Sequence, residues 1–274
     1  MMKQARKDIE LPSQSGLSAE AGLLAKSGDL EVRLAGGSAD ILAAQALRYR
    51  VFYEEMSAQP SDDMKAAGRD FDRYDAVCDH LLVLDKSVVI GTYRLMRQDA
   101  ADTVGGYYSS AEYDISRLLE KARSGTKLME LGRSCVDKAY RNTATIQLLW
   151  RGIAAYVFHY DVDVMFGCAS LEGTDADHLA SQLSVLHHER TAPPEWQVRA
   201  VDERYVPMNR IAREDLDIKR ALVALPPLIK GYLRLGCYIG DGAVIDYQFG
   251  TIDVCIILPV SQIPQRFRNR FSEQ

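Results

Sequence analysis

The sequence predicts a mixed α/β domain, a single sheet flanked by helices, rather than a doubly wound parallel sheet. Three observations predict it. The apolar runs His80–Leu84 and Val88–Met96 are separated by Asp85–Lys86–Ser87 and read as an antiparallel pair. The middle of the chain then alternates strand and helix patterns, which requires a parallel crossover. Near the end, Ala243–Gln248 and Thr251–Leu258 return to β-rich sequence. With 274 residues, 47% of them hydrophobic, the chain can bury a large core without disulfides or metals.

Residues 1–29 are polar and punctuated by Ser and Gly, which predicts a mobile tail before a domain spanning 30–262. Leu30–Leu34 reads as a first strand closed by Gly36–Gly37. Ser38 or Asp40 caps a helix over Ile41–Glu55, with Leu42, Ala46, Val51 and Phe52 on its inner face. The stretch 56–74 carries Pro60, Gly68 and many charges and reads as a loop. A short helix follows over Ile115–Ala122.

The chain is organised around Lys127–Tyr160, which reads as strand, turn and long helix. Gly132 interrupts the strand Leu128–Val136, and a glycine in a strand pattern marks a bulge or a close approach. Glu130 and Arg133, three apart, would face opposite sides of a regular strand. One extra residue at Leu131–Gly132 brings both to the same side and frees backbone N–H groups. In the helix, Ile146, Leu149, Trp150, Ile153, Ala154, Val157 and Phe158 form one apolar stripe. Asn142 and Thr143 cap its start, whose free N–H groups suit an anion.

Val162–Ser170 is a buried strand containing Gly167, and Thr174 opens a helix over Asp175–His187. The next stretch, 190–213, is broken by Pro193, Pro194 and Pro207. Pro226–Pro227 then start a helix through Leu235. Residues 263–274 form a basic, aromatic tail.

Composition excludes several classes of function. A net charge of −5 argues against a nucleic-acid groove. No run approaches the ~18–20 apolar residues of a membrane span, and the N-terminus has no signal-peptide core, so a cytoplasmic location is expected. Five dispersed cysteines without a CxxC pair read as reduced thiols. The histidines lack metal-ligand spacing, no metal or bound cofactor is expected, and His80 reads as a surface residue.

The chemistry rests on scattered charges. Arg48 and Phe52 lie one helical turn apart; Asp70, Asp72 and Asp75 gather around Phe71 and Tyr74; Arg94 stands in a strand. Taken singly, these read as a solvated acidic loop and surface ion pairs. Together, Arg48-x-x-Val51-Phe52, Asp72-x-x-Asp75, Gly91-x-x-Arg94-Leu95 and Glu130-x-x-Arg133 resemble the acyl-homoserine-lactone synthases, GNAT-like acyltransferases that draw on acyl carrier protein. The tryptophan of that family's adenosylmethionine-binding wall has no counterpart in Ser57–Pro60. A longer resemblance, from Leu30 to Val260, is to the L-ornithine Nα-acyltransferases. It is carried by LRYRVFYEEM, FDRYDAVCDHLLV, GTYRLMR, MELGRSCVDKAYRN and MFGCASLEGTD.

That resemblance implies transfer of a 3-hydroxyacyl chain from acyl carrier protein to the α-amine of L-ornithine, the first step of ornithine-lipid synthesis. An autoinducer synthase using adenosylmethionine and an N-acyltransferase for another amino acid such as glycine are the alternatives. Within it, Glu130 is the candidate base, and backbone N–H groups near Gly132 and Arg133 stabilise the oxyanion. Asp72 and Asp75 take the acceptor's side-chain ammonium; Arg48, Arg94 or Arg133 takes its carboxylate; Phe52 and Ser170 complete the substrate site. Arg141, Asn142 and Thr143 face the phosphopantetheine phosphate. The turn Arg141–Ile146 lacks the glycines that let a backbone approach a coenzyme A pyrophosphate, which favours a carrier-bound donor. An acylated product belongs in a bilayer, and Arg266, Arg268 and Arg270 beside Phe267 and Phe271 suit weak contact with an anionic inner leaflet.

Overall fold

A computed structural model describes residues 22–265. The first part of the chain forms β1 (Leu23–Ser27), β2 (Leu30–Leu34), α1 (Ser38–Tyr49) and α2 (Asp62–Ala67). These are followed by β3 (Asp79–Asp85), β4 (Val88–Arg97), α3 (Gln98–Thr103), β5 (Tyr113–Asp114) and α4 (Ser116–Arg123). The central unit is β6 (Leu128–Val136), α5 (Thr143–His159) and β7 (Val164–Glu172). The remainder comprises α6 (Ala180–Arg190), β8 (Arg199–Ala200), β9 (Tyr205–Val206), α7 (Ile218–Ala224), α8 (Pro227–Leu235), β10 (Tyr238–Asp246) and β11 (Thr251–Pro259).

All the strands join one mixed sheet in the order β1-β2-β3-β4-β6-β7-β11-β10-β8-β5, with β9 on β10. Neighbours run antiparallel except β6–β7, joined by the α5 crossover, and β8–β10. The β3–β4 hairpin turns through Lys86 and Ser87, both at positive φ (47° and 75°), as a two-residue turn with the twist of the strands demands. Successive residues of β3 serve opposite layers. Leu81 and Val83 pack under α5, while Leu82 and Leu84 pack against α1. On α5, Gly152 lets the helix sit directly on the sheet, because a Cβ there would lie 2.7 Å from Val32.

Several expectations need correction. The sheet begins inside the segment read as a tail, since Leu23, Ala25, Lys26 and Ser27 pair with β2; residues 1–21 lie outside the described residues. So do Arg266, Phe267, Arg268, Arg270 and Phe271. The helix expected over Ile41–Glu55 is α1 followed by a π-helical turn, Arg50–Glu55. Its buried face is Ala44, Leu47, Arg48, Val51 and Phe52, and Leu42 is 44% exposed. The loop at 56–74 contains α2, capped by Ser61 and stopped by Gly68 in the left-handed conformation. Asp175 accepts the amides of Asp177 and His178, so a turn precedes α6. The stripe on α5 is rotated: Leu148, Gly152 and Tyr156 are buried, while Ile146 and Phe158 are exposed.

Candidate active site

The site begins where two parallel strands part. Pairing between β6 and β7 covers Leu128–Val164, Met129–Met165 and Glu130–Phe166, then stops. Gly167 makes the last close approach possible: it sits at φ 154°, and a Cβ there would lie 2.2 Å from the Leu131 carbonyl oxygen. Beyond it, the β7-facing edge of β6 has no strand partner among the described residues. On its other edge β6 carries a bulge, with Arg133 and Ser134 opposite Tyr93 and Arg133 at φ 51°. The bulge therefore lies just past the expected Leu131–Gly132. Gly132 is not its left-handed residue, and a Cβ there would meet nothing within 4 Å.

A cleft of about 890 Å³ opens at this split. Its wall at α5 and α8 is apolar around Leu149, Trp150, Ile153, Pro227, Leu228 and Gly231, with Gln147, Arg151, Lys230 and Arg234 also on it. Its wall at the strands is polar, with Arg94, Glu130, Arg133, Ser170, Asp246 and Asp253. Phe52, Gly132, Arg141 and Thr143 line it as well. Arg48, Asp72, Asp75 and Asn142 do not.

The last group serves structure. Arg48 is fully buried. Its Nη2 donates to Asp75 Oδ2 (2.8 Å) and to the Asp70 carbonyl (2.7 Å), and its Nε pairs with Asp70 Oδ2 at 2.7 Å. Arg94 Nη1 donates to Asp72 Oδ1 (2.7 Å) and Asp75 Oδ1 (3.3 Å). Arg133 pairs with Asp70 at 3.3 Å and Asp72 at 3.4 Å. Three arginines thus offset three aspartates. Burial opposes ionisation of Asp75, but the charges of Arg48 and Arg94 outweigh it and hold its carboxyl below the usual range. Asp72 and Asp75 are therefore committed to arginines and are not free for an acceptor's ammonium. The network also fixes the bend of β6, because it ties the bulge residue Arg133 to the 70–75 segment. His80, expected at the surface, is buried beneath this network with its Nε2 3.0 Å from the Asp75 carbonyl.

Glu130 is 4% exposed. Its Oε2 accepts the Tyr108 amide (2.9 Å) and its Oε1 the Ser109 amide (2.7 Å). Burial raises its pKa; the bonds from Ser109 and Tyr108 restrain the rise. The Arg133 guanidinium stacks over Tyr108 and Phe249, at 4.8 and 5.0 Å from their ring centres. Asn142 caps α5 by accepting the Thr145 amide (3.1 Å), and Arg141 pairs with Glu55.

A second acidic group escaped the sequence reading. Asp246, Asp253 and Glu112 are buried, and metal-ligating atoms of Glu112, Cys168 and Asp253 lie within 4.8 Å of one another. Burial, then the charge of Glu112, pushes Asp253 up to about 7. The available signal was a lone acid in an otherwise apolar strand, TIDVCIILP, all nine of whose residues are buried. The thiols are not poised to attack: burial pushes Cys135 up to about 12 and Cys168 well above its ordinary value.

A mixed sheet split between two parallel strands, with an apolar wall and a buried carboxylate at the split, accords with an acyltransferase. Residues 47–151 match the acetyltransferase (GNAT) domain family. The chain is 48% identical over 269 residues to the L-ornithine N(alpha)-acyltransferase of Brucella abortus, covering 92% of this chain and 95% of that protein. It is 38% identical over 252 residues to the enzyme of that name from Rhodobacter capsulatus, covering 89% and 95%. The solved structure of an N-acyl amino acid synthase from uncultured soil microbes, FeeM, aligns with a TM-score of 0.48 at 13% identity, covering 87% and 97%. The chain belongs to the L-ornithine Nα-acyltransferase family.

Proposed function

We propose that the protein transfers a 3-hydroxyacyl chain from acyl carrier protein to the α-amine of L-ornithine, yielding a lyso-ornithine lipid. The observation that carries this reading is the cleft whose apolar α5–α8 surface and charged strand wall meet at Glu130 and Gly132. An acyl chain suits the first wall and an amino acid the second. With its thiols protonated, the enzyme works by direct transfer. The acceptor nitrogen forms a bond to the thioester carbonyl, the C–S bond breaks, and the pantetheine thiol leaves with a proton. The amine arrives as an ammonium, and Glu130 takes its proton, directly or through one water. The unpaired edge of β6 at Gly132 and Arg133 supplies donors to the oxyanion. Arg94 and Arg133, which reach the cleft, suit the acceptor's carboxylate; Arg48 does not reach it.

Two features favour a carrier-bound donor. The turn before α5 lacks glycines, and its Arg141 is already paired with Glu55. Arg151, Lys230 and Arg234 line the same cleft and suit an acidic carrier. Among the described residues no helix is long and apolar enough to cross a membrane.

The assay is thiol release from 3-hydroxyacyl carrier protein with L-ornithine, with the product weighed by mass spectrometry. Ornithine should drive release and yield the N-acyl product. Release driven by adenosylmethionine, or equal rates with acyl coenzyme A, overturns the acceptor or the donor respectively.

A further inference from the structure

We propose that Asp253 and Asp246, with Glu112 behind them, hold the side-chain ammonium of the acceptor and make the enzyme selective for a basic amino acid. This rests on the amino-acid N-acyltransferase reading above and names the residues that choose its acceptor.

The argument starts from charge. The three aspartates at 70, 72 and 75 face three arginines, so those aspartates have no charge to offer a cation. The acids of β10 and β11 are different. Glu112 has Arg204 at 3.3 Å, but among the described residues neither Asp246 nor Asp253 has an ion-pair partner. Asp253 accepts the Thr251 hydroxyl (2.9 Å), and Asp246 accepts the amides of Gln248 (2.8 Å) and Phe249 (3.0 Å). These bonds solvate the carboxylates without neutralising them. Buried carboxylates left without a cation are costly unless something occupies the space between them.

Placement points to a ligand independently of the acids. Asp253 is 7% exposed, and what remains of its surface lines the cleft that holds Glu130 and Gly132. Asp246, Ser170 and Thr251 line it beside Asp253, and Ser170 is the register partner of Asp253 across β7 and β11.

Reach agrees with the substrate. The Ser109 amide lies 2.7 Å from Glu130, the Ser109 hydroxyl 3.5 Å from the Cys168 thiol, and that thiol within 4.8 Å of Asp253. In ornithine five bonds separate the two nitrogens, roughly 6 Å when extended. Ser109 thus links Glu130 to the neighbourhood of Asp253 within one cleft, and the proposal places the δ-ammonium of an α-amine held at Glu130 against Asp253. Norvaline, which lacks only the δ-amino group, would leave the acids unpaired, which is the arrangement that discriminates most strongly.

The experiment compares L-ornithine, L-lysine and L-norvaline with one 3-hydroxyacyl carrier protein as donor, for the wild type and Asp253→Asn. The wild type should prefer ornithine to norvaline by ~10³-fold or more in kcat/KM. In Asp253→Asn that ratio should fall at least ~30-fold, chiefly through a higher KM for ornithine. Asp246→Asn keeps the oxygen that accepts the two turn amides, so it should fold and show the same change; it decides the matter if Asp253→Asn does not fold. An unchanged ornithine-to-norvaline ratio in the folded variant overturns the inference while the acyltransferase reading stands. So does loss of ornithine turnover on chelation with EDTA and its return with a divalent cation, which makes Glu112, Cys168 and Asp253 a metal site. A wild type that acylates none of the three overturns the reading beneath it.

Discussion

Glu130→Gln separates what Glu130 does for the chemistry from what it does for the fold. The wild-type carboxylate accepts two amides, at 2.7 and 2.9 Å, one on each oxygen. A glutamine offers one oxygen, and its NH₂ turns toward the other amide, leaving a buried donor unsatisfied. That costs ~1–3 kcal/mol, or roughly 3–10 °C in Tm for a chain of this size. If Glu130 is the base, kcat falls by ~10²–10⁴-fold as well. The pH profile distinguishes the two effects. Burial raises the pKa of Glu130, so wild-type kcat/KM should decline on the acid side as the carboxylate is protonated, and the variant should lose that limb. Calorimetry and a pH series of thiol release measure both. A variant with lowered Tm, near-normal kcat and an intact acid limb would show that Glu130 only anchors the Tyr108–Ser109 turn.

Arg48→Ala should lower stability by ~3–5 kcal/mol, because it leaves Asp70 and Asp75 buried with less compensating charge; an unchanged denaturant midpoint contradicts the network. For Asp253, burial raises the native pKa to about 7 from 3.8, so its contribution is complete below about pH 4 and lost as the pH rises through 7. Asp253→Asn should therefore gain relative to wild type as the pH rises from about 4 to 7, by at most ~4 kcal/mol, and a Tm difference independent of pH rules this out. Gly231→Leu should fill the α5–α8 wall, where a Cβ would sit 3.8 Å from Trp150, and shift donor competition toward shorter acyl chains. Mass spectra showing an unaltered chain-length distribution would remove that wall from the acyl site.

Much of the architecture is legible locally. The β3–β4 hairpin, the interrupted strand β6 and the capped helix α5 each carry a pattern within about ten residues, whereas Glu130, Arg133 and Arg94 stand out only through the resemblance of their spaced motifs to a family. What the sequence hides is partnership across distance. Asp75 reads equally well as a ligand for ammonium or as the mate of an arginine; only the packing of α1 brings Arg48 to it. Likewise, β7 and β11 pair Ser170 with Asp253 across some eighty residues, and no local periodicity reports that pairing. β1 escapes because Leu23–Ser27 is short and largely exposed, and its strand character comes from β2 beside it.

The insertion of β11 between β7 and β10 sets an order of assembly during synthesis. Until residues 251–259 emerge, β7 has an open edge rich in unpaired N–H and C=O groups, which invites pairing with another chain. Asp253 arrives on that same strand. A nascent chain that has built β6, its bulge and the apolar wall therefore has a place for an acyl chain before it has one for an acceptor's ammonium. The strand that closes the sheet is the strand that completes the proposed selectivity, so a chain stopped short of Thr251 loses both at once.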